Sequence, residues 1–68
     1  MTEVQYPLRE RRKRRTRAAL VDAGRELFGR NGFTATTMEQ IAEQADVHVQ
    51  TLYRHFPSKE DLALAPER

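Results

Sequence analysis

Residues 36–56, TTMEQIAEQADVHVQTLYRHF, hold two short helical patterns on either side of a three-residue turn. The first pattern opens at Thr36, whose hydroxyl is placed to accept the Glu39 backbone N–H while the Glu39 carboxylate reaches back to Thr36, a capping box. Met38, Ile41, Ala42 and Ala45 then recur at spacings of three and four, which is one face of a helix. Ala45-Asp46-Val47 forms the turn, and a second helix is expected from about His48 to Phe56. At 100° per residue, His48 and Phe56 fall within about 40° of Leu52 and share its inner side. Gln50, Thr51, Tyr53 and Arg54 face outward, with Val49 on the border. An amide, a hydroxyl, a phenol and a guanidinium on one face can hydrogen-bond base edges and phosphates in a major groove. The reading is a helix-turn-helix, its second helix the recognition helix.

Working outward, charge is the next informative feature. The 68 residues carry a net charge of only +2, but residues 9–17, RERRKRRTR, hold seven basic groups against one acid. Residues 18–68 hold five basic against eight acidic groups. The basicity therefore belongs to one end, an electrostatic arm on a slightly acidic body. Residues 1–15 are expected to form a flexible basic N-terminal arm and residues 16–68 the folded domain. Arg11, Arg12, Lys13, Arg14, Arg15 and Arg17 are candidates for counterion-releasing contact with a DNA backbone, including an arm in the minor groove. No apolar face accompanies these charges, which argues against a membrane surface as partner.

From about Thr16 a firm helical stripe begins: Leu20, Ala23, Gly24, Leu27 and Phe28. Asp22 with Arg25 and Glu26 with Arg30 are opposite-charge pairs at three and four. Asn31-Gly32 ends this helix with a residue that tolerates positive φ, and Phe33 can fold back on its end. Beyond Phe56, Pro57 and Ser58 start a further helix, with Ser58 as cap, Asp61 three residues on and Leu62 opening its apolar face. One or two turns cannot stand alone, so the expectation is either a chain cut off where a longer helix would ordinarily continue or a minimal domain with a frayed end. The fold expected is all-α, a three-helix helix-turn-helix bundle of homeodomain-like type with the start of a fourth helix. Phe28, Phe33, Leu52 and Phe56 are assigned to the core.

Several function classes are excluded by composition. There is no cysteine, which removes a disulfide framework and a thiolate metal site. His48 and His55 lie seven apart and read as surface or edge residues, so no metal site and no cofactor is expected. No apolar run approaches the length needed to span a bilayer, and MTEVQYPLRE lacks a signal-peptide core. No nucleophile–base–orienter set or glycine-rich phosphate loop is present, so an enzyme is rejected. A chain of this size buries only about 60% of its unfolded surface, and help from a partner subunit or further chain is expected.

The pattern resembles the N-terminal DNA-binding domain of the TetR family of bacterial transcriptional repressors. The matching residues are Leu20, Ala23, Leu27, Phe28, Gly32, Phe33, Thr36-Thr37, Ile41-Ala42, Ala45, Val47, Thr51-Leu52-Tyr53, Phe56 and Ser58-Lys59-Glu60-Asp61-Leu62. They cover about two-thirds of the chain without a gap. The resemblance implies a head that reads a palindromic operator in double-stranded DNA as a homodimer, most often to repress. It further implies a larger C-terminal domain, outside these 68 residues, that supplies the dimer interface and binds a small-molecule effector. It implies a cytoplasmic, nucleoid-associated bacterial protein.

Carried over residue by residue, the resemblance puts Val49, Gln50 and Thr51 near base edges or the flanking backbone. Tyr53, His55 and Lys59 would lie near phosphates, and Thr37 near the backbone. By chemistry Gln50 suits adenine, Val49 a thymine methyl, and Arg54 guanine or phosphate. Three departures stand out: Asp46 where the family commonly has glycine in the turn, His48 where it has Ser or Thr at the cap, and Val49 where a small or basic residue is common. The competing reading is a helical protein-interaction module whose basic tail docks on an acidic partner. Operator sequence, effector, and repression against activation are not encoded in these residues.

Overall fold

A computed structural model describes residues 7–65. These residues form four helices: α1 (Leu8–Asn31), α2 (Met38–Gln44), α3 (Val49–His55) and α4 (Lys59–Ala63). The all-α architecture agrees with the sequence reading, and α2 and α3 are the two halves of the helix-turn-helix.

Helix α1 reaches back to Leu8, which corrects the expectation of a flexible arm for residues 8–15; residues 1–6 of that arm lie outside the described residues. Arg and Lys rank near the top of the helix scale, and successive 100° steps spread their charges around the cylinder and into water. Pro7 caps the start, its carbonyl accepting the Arg11 N–H at 3.0 Å, and Glu10 sits in the first turn. The other end behaves as the sequence indicates. Gly32 takes φ 88°, and its N–H returns to the Phe28 carbonyl at 2.8 Å. The Glu26–Arg30 pair closes at 2.6 Å.

The cap of α2 is shifted by one residue from the expectation. Thr37, not Thr36, is the N-cap: its hydroxyl accepts the Gln40 N–H at 3.1 Å, and its own N–H donates to Gln40 Oε1 at 2.9 Å. Both threonines are followed at three by a residue able to complete the box, Glu39 or Gln40. The packing breaks the tie. Thr36 is fully buried, and its hydroxyl faces the end of α1, donating to Gly32 O at 2.8 Å with Leu27 O at 3.2 Å.

The core gathers Leu20, Val21, Ala23 and Leu27 of α1, Met38, Ile41 and Ala42 of α2, Leu52 of α3, Phe56 after it and Leu62 of α4. Burying each large side chain contributes about 1.5–3 kcal/mol, so this one cluster has to carry the fold. Two aromatics assigned to the core sit at its edge. Phe28 is half-buried, and Phe33 remains 36% exposed, their rings 5.1 Å apart. The short link after Gly32 leaves Phe33 room to cover the end of α1 but not to enter the cluster. Gly24 allows α4 to approach: a Cβ there would lie 2.6 Å from Leu62 Cδ2. Ser58 caps α4 as expected, accepting the Asp61 N–H at 3.2 Å.

The turn between α2 and α3 is a Schellman motif. The Val47 N–H reaches Ala42 O at 2.9 Å, the Asp46 N–H reaches Glu43 O at 3.1 Å, and Asp46 takes φ 60°. Asp tolerates this left-handed conformation better than most residues, though at a cost that glycine does not bear. Asp46→Gly is therefore expected to stabilise the fold by about 0.5–1 kcal/mol, read as a higher urea midpoint at unchanged slope.

Candidate nucleic-acid interface

The Schellman turn sets where α3 points. With Val47 packed on the core and Leu52 fully buried, the opposite side of a helix this short has to face water. Gln50, Tyr53 and Arg54 are exposed there, Tyr53 at 44%. Val49 and Thr51 are half-buried on the flanks, and Val49 also packs against the core. The face is a row of hydrogen-bonding groups with an apolar border.

His48 departs from the inner position expected of the helical wheel and takes the cap position that the resemblance implies. It is exposed and stands outside the helix as its N-cap, Nδ1 accepting the Gln50 N–H at 3.2 Å. The 100° construction counted it as a helical residue; an N-cap has extended backbone, here φ −69° and ψ 143°, and leaves the wheel.

The helical form of the basic run brings it to α3. Arg12, Lys13 and Thr16 of α1 face Thr51, Arg54 and His55 of α3 across an open cleft of about 430 Å³. Thr16 was not singled out from the sequence, although its place three residues after Lys13 puts both on one side of α1. Arg11, Arg14 and Arg15 are exposed along the same helix, whereas Arg17 is half-buried with its guanidinium carbon 5.0 Å from the Phe56 ring centroid. Cations from two helices thus converge on one cleft, a positive field of the kind that suits a polyanion.

His55 closes one end of the cleft. Its pKa is lowered from 6.5, first by loss of solvent and then by Lys13, Arg17 and Arg54. The unfolded chain keeps the ordinary value and so binds more protons between the two values. Stability supplied by neutral His55 is present above 6.5 and is lost as the pH falls through the folded value. Unfolding free energy is expected to drop as the pH falls below about 6.5, and His55→Gln is expected to flatten that dependence.

The remaining candidates lie apart from the cleft. Thr37 is exposed but spends its hydroxyl on the α2 cap. Lys59 donates to Phe33 O at 2.7 Å, with Thr34 O at 3.4 Å, and its ammonium sits 4.5 Å from the Phe33 ring centroid, so it braces the α1–α2 link. On the other side of α3, Glu39, Glu43 and Asp46 line a groove with His48 and Val49. The carboxylates make this margin of α3 less favourable to a polyanion than the α1–α3 side. Among the described residues no group of His, Asp and Glu is arranged to hold a metal ion, and no helix is long and apolar enough to cross a membrane.

Residues 20–65 match the family described as bacterial regulatory proteins, tetR family. The HTH-type transcriptional regulator TcmR of Streptomyces glaucescens is 52% identical over 59 residues, covering 87% of this chain and 26% of that protein. The HTH-type transcriptional repressor KstR of Mycolicibacterium smegmatis is 46% identical over 57 residues, 84% of this chain and 26% of its own length. The HTH-type transcriptional regulator UidR of Escherichia coli K12 is 42% identical over 50 residues, 74% of this chain and 26% of its own. The chain spans about a quarter of the length of these curated relatives. No solved structure gives a significant match.

Proposed function

The chain belongs to the tetR family of bacterial regulatory proteins, and from that premise we propose that it is the operator-reading head of a dimeric transcriptional repressor. As a member of a family of regulators it is not an enzyme. The observation that carries the reading is the division of α3: Leu52 is buried, while Gln50, Tyr53 and Arg54 are exposed, and Arg54 shares a cleft with Arg12 and Lys13 of α1.

In this reading α3 enters the major groove. Gln50 reads adenine, Val49 meets a thymine methyl, Thr51 lies by base edges or the backbone, and Arg54 takes guanine or phosphate. Tyr53, His55, Arg12 and Lys13 hold phosphates, and Arg11, Arg14 and Arg15 extend the positive field along the backbone. Thr37 and Lys59 are outer backbone contacts, Lys59 only after leaving its loop carbonyls. The competing reading, a helical protein-interaction module whose basic segment docks on an acidic partner, requires no preferred duplex and is separated from this one by duplex selection.

One head reading one half-site binds weakly. Two heads held a helical turn apart, or a multiple of it, gain affinity through effective concentration and read an inverted repeat. The dimer interface and the effector site belong to further chain, and repression is occlusion of a promoter in the bacterial cytoplasm. KstR is named as a repressor, which favours repression over activation here.

The test is selection of duplexes from a random pool by this chain fused to a dimerising segment. An enriched inverted repeat is expected, and Gln50→Ala is expected to relax preference at one position of each half-site, at a cost of about 1–3 kcal/mol per missing bidentate pair. A pool that stays random after selection would refute the reading.

A further inference from the structure

Among the cations at positions 11–17, one is set apart by its surroundings. Arg11, Arg12, Lys13, Arg14 and Arg15 are exposed, but Arg17 is half-buried and its guanidinium lies over the Phe56 ring, 5.0 Å from the centroid. Phe56 is the C-cap of α3 and is itself buried to 3% exposure. The α3 backbone is held at one end by the Schellman turn and in the middle by Leu52. Its far end is where Arg17 rests.

We infer that Arg17 is a positioning residue for the recognition helix: stacked on Phe56, it fixes the angle at which α3 leaves α1 and does not neutralise a phosphate. Three features of the contact support this. A guanidinium stacks flat on an aromatic face and, being weakly hydrated, tolerates partial burial there. The last turn of α3 presents unpaired carbonyls, the negative end of the helix, and a cation beside it is favourable. The 5.0 Å approach to the Phe56 ring places the guanidinium at the junction of α1 with the end of α3, where, after burial and Lys13, it helps to lower the pKa of the neighbouring His55. A small rotation of a seven-residue helix about its turn carries Gln50, Tyr53 and Arg54 across the groove together, so a loose far end blurs base contacts more than phosphate contacts.

The inference rests on the proposed DNA reading, and the experiment separates the two. The forced dimer is assayed on its selected duplex and on a scrambled one across a salt series, as wild type, Arg17→Gln and Arg17→Lys. For a positioning role, both variants lose about fivefold per head in affinity for the selected duplex, with scrambled binding and the salt slope unchanged. For a phosphate contact, Arg17→Gln weakens both duplexes and lowers the slope by about 0.9 per phosphate released, while Arg17→Lys restores both; that pattern overturns the inference. Equal affinities in all three proteins overturn it as well. Should Arg17→Gln lose its helical circular dichroism, Arg17→Lys alone decides, since it keeps the charge and gives up the planar stack. Absence of any selected duplex would instead remove the DNA reading itself.

Discussion

Leu52→Ala is expected to leave the domain largely unfolded at room temperature, with its helical circular dichroism lost and no binding to any duplex. Leu52 is fully buried at the meeting point of α3 with the core formed by Leu20 and Ile41. Truncating a buried leucine to alanine costs about 2–5 kcal/mol, from lost transfer energy and from the cavity left behind. A single core in a chain this small supplies only about 3–5 kcal/mol in total. The substitution therefore removes most or all of the margin. Leu52→Met keeps the volume and should cost less than about 1.5 kcal/mol, leaving fold and binding in place. A cooperative thermal transition in Leu52→Ala, close to that of wild type, would show that α3 is not held by this residue.

The second large effect is electrostatic. Arg12→Ala with Lys13→Ala should leave the helical signal intact, since both side chains are exposed, yet weaken every duplex alike. Each phosphate neutralised contributes about 0.9 to the slope of log affinity against log salt, so leaving about four phosphates unneutralised across a dimer lowers it by about 3.6. At about 0.1 M salt this amounts to an affinity loss on the order of a thousandfold, converging on wild type as salt approaches about 1 M. The signature is uniformity: the ratio between the selected and a scrambled duplex stays as it was. Measured by fluorescence anisotropy over a salt series, a loss confined to the selected duplex would mean that these residues read bases.

The two sets of residues, one sensed through stability and one through salt, were not equally legible in the sequence. The apolar stripe of α1 from Leu20 to Leu27, the Gly32 stop, the Ser58 cap and the exposure of Gln50, Tyr53 and Arg54 follow from residue type and spacing, and the structure has them as read, whereas Phe28 and Thr51, read as core and outward, are both half-buried. Each depends on local geometry. The errors arise where a tertiary neighbour decides between local options of similar quality. Thr36 and Thr37 both suit a cap, and only the carbonyls of Leu27 and Gly32 draw Thr36 inward. His48 fits the inner face of a wheel until its extended backbone takes it off the helix. Phe33 is apolar enough for the core but is kept out by the short link behind it.

The basic run shows the same limit in a more consequential way. In the sequence it reads as a flexible arm; in the structure it is helical from Leu8 and carries Arg12 and Lys13 to the side of Arg54 and His55. No spacing rule relates residue 13 to residue 55. Nor does composition show that Arg17 and Lys59, counted among the DNA-facing cations, rest on the rings of Phe56 and Phe33. The two-helix cleft is therefore a product of the fold, and sequence alone supplied only its ingredients.

In the proposed function, a polar side of α3 is presented to DNA because its other side is locked into the core. Amide chemical shifts of the labelled forced dimer, titrated with its selected duplex, report on this most directly. The account predicts that the largest shifts fall on Gln50, Tyr53 and Arg54 and on the α1 segment around Arg12 and Lys13, with Glu39, Glu43 and the Glu26–Arg30 side of α1 little changed. Shifts concentrated on Glu39 and Glu43, with the α3 amides unmoved, would contradict it.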